Sequence, residues 1–259
     1  WKDHIIRFLL LAKLLEELPA RIRKAMEASA DQEFWNVIRG RLPRTRMIVR
    51  DLQRLIDNAK PRGLKGTTIR IAAGLSSLAI SNNEPGDSKQ GIEYRDALLT
   101  ERDTLRKALL GGAKLKAVLN PPRRFTQAMQ PERLRVRYKR LISLLEGRSD
   151  IRRNPKTTAE DVRAMKQCEF ALSPVPMPNV FIIGEEVAYE GMKRGGTGGF
   201  EMTHCETSAE GLSELINQFD RFFEESHDEM VRAHPPDGRL AEQLRKFYRE
   251  ATGVGVAQK

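Results

Sequence analysis

Apolar residues recur along most of the chain, and their spacing changes character several times. Ile5, Leu9, Leu14, Leu15 and Leu18 form one apolar surface before Pro19. Ile48, Leu52, Leu55 and Ile56 repeat the helical spacing after breaks at Gly40 and Pro43. Residues 1 to about 64 therefore read as helix throughout, a small helical subdomain. A different pattern starts at Gly66, where Ile69, Ile71, Leu75, Leu78 and Ile80 predict a strand within 67–80, followed by a polar loop with Pro85 and Gly86. The next helix runs from about Glu93 to Leu110 and is ended by Gly111 and Gly112, after which Lys114 to Asn120 alternates as a strand. Strand, helix and strand in so short a span predict a crossover unit with parallel pairing.

From Glu132 to Glu146 the helical pattern is cleanest. Leu134, Tyr138, Leu141, Ile142 and Leu145 share one face, and Arg133, Arg135, Arg137, Lys139 and Arg140 cover the rest. Gly147 stops this helix, and the polar, basic text from Arg148 to Thr158 predicts an exposed loop. Short strands then follow at Cys168 to Ser173, Val180 to Ile183, Val187 to Tyr189 and Phe200 to His204, read as an antiparallel meander. Thr207 and Glu210 have capping-box spacing, and Leu212, Leu215, Ile216, Phe219 and Phe223 form the buried stripe of a helix ending near Ser226. A last helix is predicted over about Leu240 to Ala251. Two domains are expected, 1–64 helical and 65–259 α/β.

The order from Thr67 to Ser226 resembles one module of the phospholipase D superfamily, in which a strand, helix and strand lead to a hairpin carrying His-x-Lys-(x)4-Asp. The matching hairpin is Pro176 to Gly191, and Gln218-Phe219-Asp220-Arg221-Phe222-Phe223 resembles the end of the family's closing helix. The resemblance implies an α/β fold, a phospholipase D-like mixed sheet flanked by helices, preceded here by the helical subdomain. It does not imply the family's chemistry. The His, Lys and Asp positions are occupied by Pro178, Val180 and Glu185 in one register, and by Met177, Asn179 and Gly184 when shifted by one residue. Neither register supplies an imidazole to attack phosphorus or an ammonium to offset charge on the phosphoryl oxygens.

Charge separates the chain more sharply than any motif. The 259 residues hold 45 Lys and Arg against 35 Asp and Glu, a formal net charge of +10. Positions 123 to 156 carry eleven basic and three acidic residues, and positions 200 to 230 carry nine acidic and one basic. The basic set of Arg123, Arg124, Arg133, Arg135, Arg137, Lys139 and Arg140, extended by Arg148, Arg152, Arg153 and Lys156, can neutralise phosphates. Opposite patches on one chain also favour a homodimer. Lys193 and Arg194 flank the glycine run RGGTGGF, which can cradle an anion through backbone N–H groups or serve simply as a hairpin turn.

Other reactive residues are sparse. His204, Cys205 and Glu206 are adjacent, but on a strand Cys205 faces away from the other two. His227 and His234 lie seven residues apart, too far along one face to share an ion, and no metal or cofactor is expected. Two cysteines build neither a disulfide framework nor a four-sulfur site, so Cys168 and Cys205 read as small buried residues in an intracellular, cytoplasmic chain. The apolar run from Ile5 to Leu15 is interrupted by Arg7 and Lys13 and is too short to span a bilayer. The expected function is a non-catalytic binding or regulatory module recognising a phosphate-bearing ligand or nucleic acid through the basic surface. Two alternatives remain: a phosphodiesterase or nuclease using His204, and an oligomeric protein-interaction scaffold.

Overall fold

The computed structural model describes residues 36–59, 63–73, 77–82, 84, 89–120, 131–149, 157–172, 177–192, 202–225 and 231–252. The helical stretches expected before residue 36 lie outside these residues. The chain divides into two compact units, Trp1–Ile38 and Arg39–Lys259. Helix α1 (Arg41–Asn58) belongs to the second of these units. The region read as all helix also contains a short strand, β1 (Val37–Arg39). Gly40, at φ 86, separates it from α1 in a backbone conformation that other residues rarely adopt.

The remaining strands are β2 (Thr68–Ala73), β3 (Lys114–Leu119), β4 (Cys168–Leu172), β5 (Val180–Ile183), β6 (Val187–Met192), β7 (Met202–Glu206) and β8 (Val231–Ala233). Helices α2 (Lys89–Leu110), α3 (Pro131–Leu145), α4 (Ala159–Met165), α5 (Ala209–Glu224) and α6 (Gly238–Thr252) flank the sheet, making an α/β architecture. Strand order is β1-β7-β6-β5-β2-β3-β4-β8. The pairs β2–β3 and β3–β4 are parallel, as the strand, helix and strand pattern predicts for the first of them. The meander is real for β5, β6 and β7. It excludes β4, which pairs parallel with β3 and antiparallel with β8. Polar residues between Arg148 and Cys168 conceal the reason: α4 lies there and carries the chain back across the sheet. Its signal is a capping box in which Thr158 accepts from the Asp161 amide and the Asp161 side chain accepts from the Thr158 amide.

Alternation sorts the sheet into two apolar faces. Ala72, Val118, Ala171, Val180, Ile182 and Ala188 form one buried face with Leu212, Phe219 and Phe223 of α5. Their sequence neighbours Ile69, Ile71, Leu115, Ala117, Phe170, Phe181 and Tyr189, also buried, form the other. Both parallel crossovers run in the same direction, which places α2, α3 and α4 together on that second face. α1 is fastened there by Asp51, which accepts the phenol proton of Tyr189. Two of the helices end in the motif the glycines announce. After α2, Gly112 adopts φ 102 and bonds to Leu109 O, while Ala113 bonds to Ala108 O. After α3, Gly147 at φ 67 bonds to Leu144 O and Arg148 to Ser143 O.

The cap of α5 differs from the predicted Thr207 and Glu210 pair. Ser208 is the cap and its hydroxyl accepts from the Gly211 amide, while Glu206 at the end of β7 accepts from the amides of Thr207 and Ser208. Among the described residues, no helix is long and apolar enough to cross a membrane. Phe219 is fully buried between α5 and the sheet and Ser213 lies on the exposed side of the helix. Phe219→Ala is expected to cost about 3–5 kcal/mol and Ser213→Ala less than about 0.5 kcal/mol. Urea denaturation of both variants checks this, and equal losses would contradict the assignment of the buried face.

Candidate functional site

The cationic helix of the sequence reading, α3, is built as its apolar row predicts: Leu134, Tyr138, Leu141, Ile142 and Leu145 are all buried. Its basic residues do not all face water. Arg137 donates from Nε to both oxygens of Glu84 at 2.9 and 3.0 Å, and that carboxylate is 2% exposed. Arg140 is 3% exposed and donates to Asp161 at 3.0 Å and to the Leu78 carbonyl at 3.1 Å. Arg133 lies 3.9 Å from Glu84. Of the five, only Arg135, beside Glu132 at 3.7 Å, is exposed, with 48% of its side chain open to solvent, and Lys139 is half-buried. Helical periodicity explains the division, because positions 133, 137 and 140 flank the apolar stripe and meet the rest of the protein. Arg123, Arg124, Arg152, Arg153, Lys156, Lys193, Arg194, the glycine run and His227 lie outside the described residues.

The inward arginines serve the chain leaving the carboxyl end of β2. Residues Ser77, Leu78, Ala79, Ile80, Ser81 and Glu84 are buried; a 3-10 turn over Ser77–Ala79 and the turn that follows bond the Ser77 and Ser81 carbonyls to the amides of Ile80 and Glu84. Arg102 donates to Ile80 O at 3.0 Å and to Asn82 at 2.9 Å, Arg95 donates to Glu84 O at 3.2 Å, and Arg140 takes Leu78 O. Guanidinium groups thus satisfy backbone that a buried segment cannot leave unpaired. Beside this segment, Asn120 at the end of β3 accepts from the Met177 amide and donates to the Met177 carbonyl, both at 2.9 Å. Arg44 of α1 donates to Asn179 at 2.9 Å. These residues gather at the carboxyl ends of the parallel strands, the edge where open α/β sheets bind ligands.

Burial sets the protonation of this cluster. It pushes the Glu101 carboxyl up to about 6, against the opposing pull of the Arg44 guanidinium and the Ser77 hydroxyl. Burial likewise raises the Tyr94 phenol. Asp161 goes the other way, because Thr158, Arg140 and Arg106 together outweigh its burial and hold it below the ordinary carboxylate range. Both thiols are buried and pushed up, so Cys168 and Cys205 are protonated packing residues and not nucleophiles.

His204 is half-buried on β7, in register with Glu190 of β6, while Cys205 and Thr203 point to the opposite, buried face. On the α5 side of the sheet, Arg70 grips both oxygens of Asp220 at 2.7 and 3.0 Å. Lys116 reaches Asp220 at 3.3 Å and Glu224 at 3.0 Å, and Arg232 reaches Glu224 at 2.7 Å. Part of the acidic stretch at 200–230 is therefore taken up by the sheet's own cations. Sequence reasoning missed this network, whose partners are 104 and 150 residues apart. Among the described residues, no three His, Cys, Asp or Glu side chains converge to hold a metal ion.

The sequence matches no family model and no curated protein. Among solved structures it is similar to TrmBL2, described as an archaeal chromatin protein with a novel mode of DNA binding, at 14% identity and a TM-score of 0.39. The match covers 86% of this chain and 66% of that one. At that score the likeness carries nothing over to this protein.

Two variants test the cluster. Arg140→Leu removes a buried partner from both Asp161 and the Leu78 carbonyl, leaves Asp161 only Arg106 and the Thr158 cap, and is expected to cost about 3 kcal/mol in thermal or urea unfolding. For Glu101, the folded state holds the proton more tightly than the unfolded chain, so stability falls as pH rises from about 4.5 to 6 and stays lower above. The fall is about 2 kcal/mol. Glu101→Gln should flatten that part of the stability profile, whatever its effect on overall stability; an unchanged slope would show that Glu101 does not titrate there.

Proposed function

We propose that this chain is a non-catalytic binding or regulatory module of phospholipase D-like fold that recognises nucleic acid, or another phosphate-bearing ligand, through a basic surface, and that it acts as a homodimer. The observation that carries the reading is the β5–β6 hairpin. In a sheet of parallel β2, β3 and β4 extended by an antiparallel meander, the resemblance aligns the family's His, Lys and Asp with Pro178, Val180 and Glu185 in one register and with Met177, Asn179 and Gly184 in the other, and neither set is catalytic. Val180 is a buried core residue, and Glu185 is exposed in the connecting turn. What supports a phosphate-bearing ligand is the net charge of +10, which is unfavourable to a compact chain unless anions offset it.

A phosphodiesterase centred on His204 is the second reading, favoured by the partial exposure of the ring opposite Glu190. One gel separates the two. Labelled duplex DNA, single-stranded DNA and RNA are titrated with the protein at low and near-physiological salt, and both retardation and cleavage are followed. Salt-sensitive retardation without cleavage is expected. Cleavage lost in His204→Ala would replace the binding module with the enzyme, and no retardation of any probe would remove nucleic acid as the ligand.

A further inference from the structure

We propose that the phosphate-binding surface includes a ridge of three arginines on α1, Arg46, Arg50 and Arg54, and that its ligand is the backbone of a nucleic-acid duplex. The proposal rests on the preceding reading that the protein binds nucleic acid, and it names where and in what form.

The three residues recur at every fourth position, so they stand in one row along the helix, spanning about 12 Å at 1.5 Å per residue. Their side chains are 65%, 64% and 56% exposed. This contrasts with Arg102, Arg137, Arg140 and Arg245, whose side chains are between 3% and 13% exposed and held in internal ion pairs. The underside of α1 is anchored. Ile48, Leu52 and Leu55 are buried, Asp51 holds Tyr189 of the sheet, and Arg44 holds Asn179. The ridge therefore projects from a fixed base, and little backbone order remains to be lost on binding.

Among the described residues each ridge arginine has one acidic ion-pair partner: Glu93 at 4.0 Å from Arg46, Asp51 at 2.9 Å from Arg50 and Glu186 at 3.7 Å from Arg54. The Arg46 and Arg54 pairs lie between exposed groups, and such pairs yield readily to a polyanion. Asp51 is shared with Tyr189 and orients Arg50 while leaving its guanidinium largely in water.

The shape and chemistry of the ridge favour a duplex over other anions. A duplex presents one phosphate per about 1.7 Å of axis, so 12 Å of helix faces several charges at once. A small phosphate needs donors converging on a point, and this row is convex and extended. A single strand needs stacking partners, and α1 contains no aromatic residue. A membrane surface would engage an amphipathic helix through its apolar side, and here that side is buried in the core.

The test is fluorescence anisotropy of labelled duplex DNA titrated with the full chain over a range of salt. Arg46→Ala/Arg50→Ala/Arg54→Ala is compared with the wild type, with Arg46→Lys/Arg50→Lys/Arg54→Lys, and with Arg135→Ala/Lys139→Ala. The alanine triple is expected to bind more weakly and to lower the slope of log K against log salt by about 3. The lysine triple should restore most of both, since phosphate contact needs charge and not a fork. A wild-type slope in the alanine triple would overturn the ridge while leaving nucleic-acid binding intact, as would loss of slope only in Arg135→Ala/Lys139→Ala. Binding of single strands but not duplex would overturn the duplex assignment. Failure of the wild type to bind any nucleic acid would overturn the underlying reading, and binding to anionic phospholipid vesicles alone would do the same. If the alanine triple melts at a lower temperature, the lysine triple and single Arg46→Ala and Arg54→Ala variants carry the comparison.

Discussion

Buried backbone beyond the end of a β-strand carries carbonyl groups that the sheet does not satisfy, and this chain meets that constraint with guanidinium groups. Ser77 to Ser81 and Glu84 are buried beyond β2, where Arg95, Arg102 and Arg140 donate to backbone carbonyls and Arg137 to the Glu84 carboxylate. Each donor comes from α2 or α3, so both helices are fixed to the carboxyl end of the strand they flank. Asp161 then joins α4 to the same group, because it accepts from Arg140 and Arg106 while capping its own helix. The second face of the sheet is thus held by a connected polar network in addition to its apolar contacts, and removing one member leaves a buried charge or carbonyl unpaired.

That allocation decides how the protein's positive charge can be used. A net charge of +10 suggests a broadly cationic surface, yet many arginines are committed inside the fold. On the α5 side, Arg70 and Lys116 are matched by Asp220 and Glu224, so part of the acidic stretch is internal as well. The cations left exposed are set by helix geometry. On α3 they reduce mainly to Arg135, whereas on α1 the four-residue spacing of Arg46, Arg50 and Arg54 keeps all three outward. Charge arithmetic along the chain gives only a total, and burial decides which of its cations meet solvent.

Burial and ion pairing set the protonation of several groups among the described residues. The thiols are buried and protonated, and Asp161 and Asp220 are held ionised by cations that occupy their oxygens. Glu101 is pushed up to about 6, a value suited to acid-base work, but it is fully enclosed beside Arg44. Its raised value is a cost of burial that the surrounding core offsets, which is ordinary for a structural carboxylate.

Much of the fold was legible in the residues alone because local periodicity and glycine placement are properties of short segments. The apolar rows of α3 and α5, the glycine ends after Leu110 and Leu145, the parallel β2–β3 unit and the β5–β6–β7 meander could all be read from spacing. So could the split of His204 from Cys205 across β7. Short elements with weak patterns escaped: β1 and β8 are three residues each, and α4 has seven residues hidden in polar text behind a Thr158 cap. The parallel seat of β4 and the membership of α1 in the second unit depend on contacts between distant segments, which no local pattern encodes. The same holds for the candidate site. Composition announced a basic protein, but whether a given arginine meets water or a buried carboxylate depends on what the fold brings opposite it. Glu84 lies 53 positions from Arg137, and only the packed tertiary structure makes them neighbours.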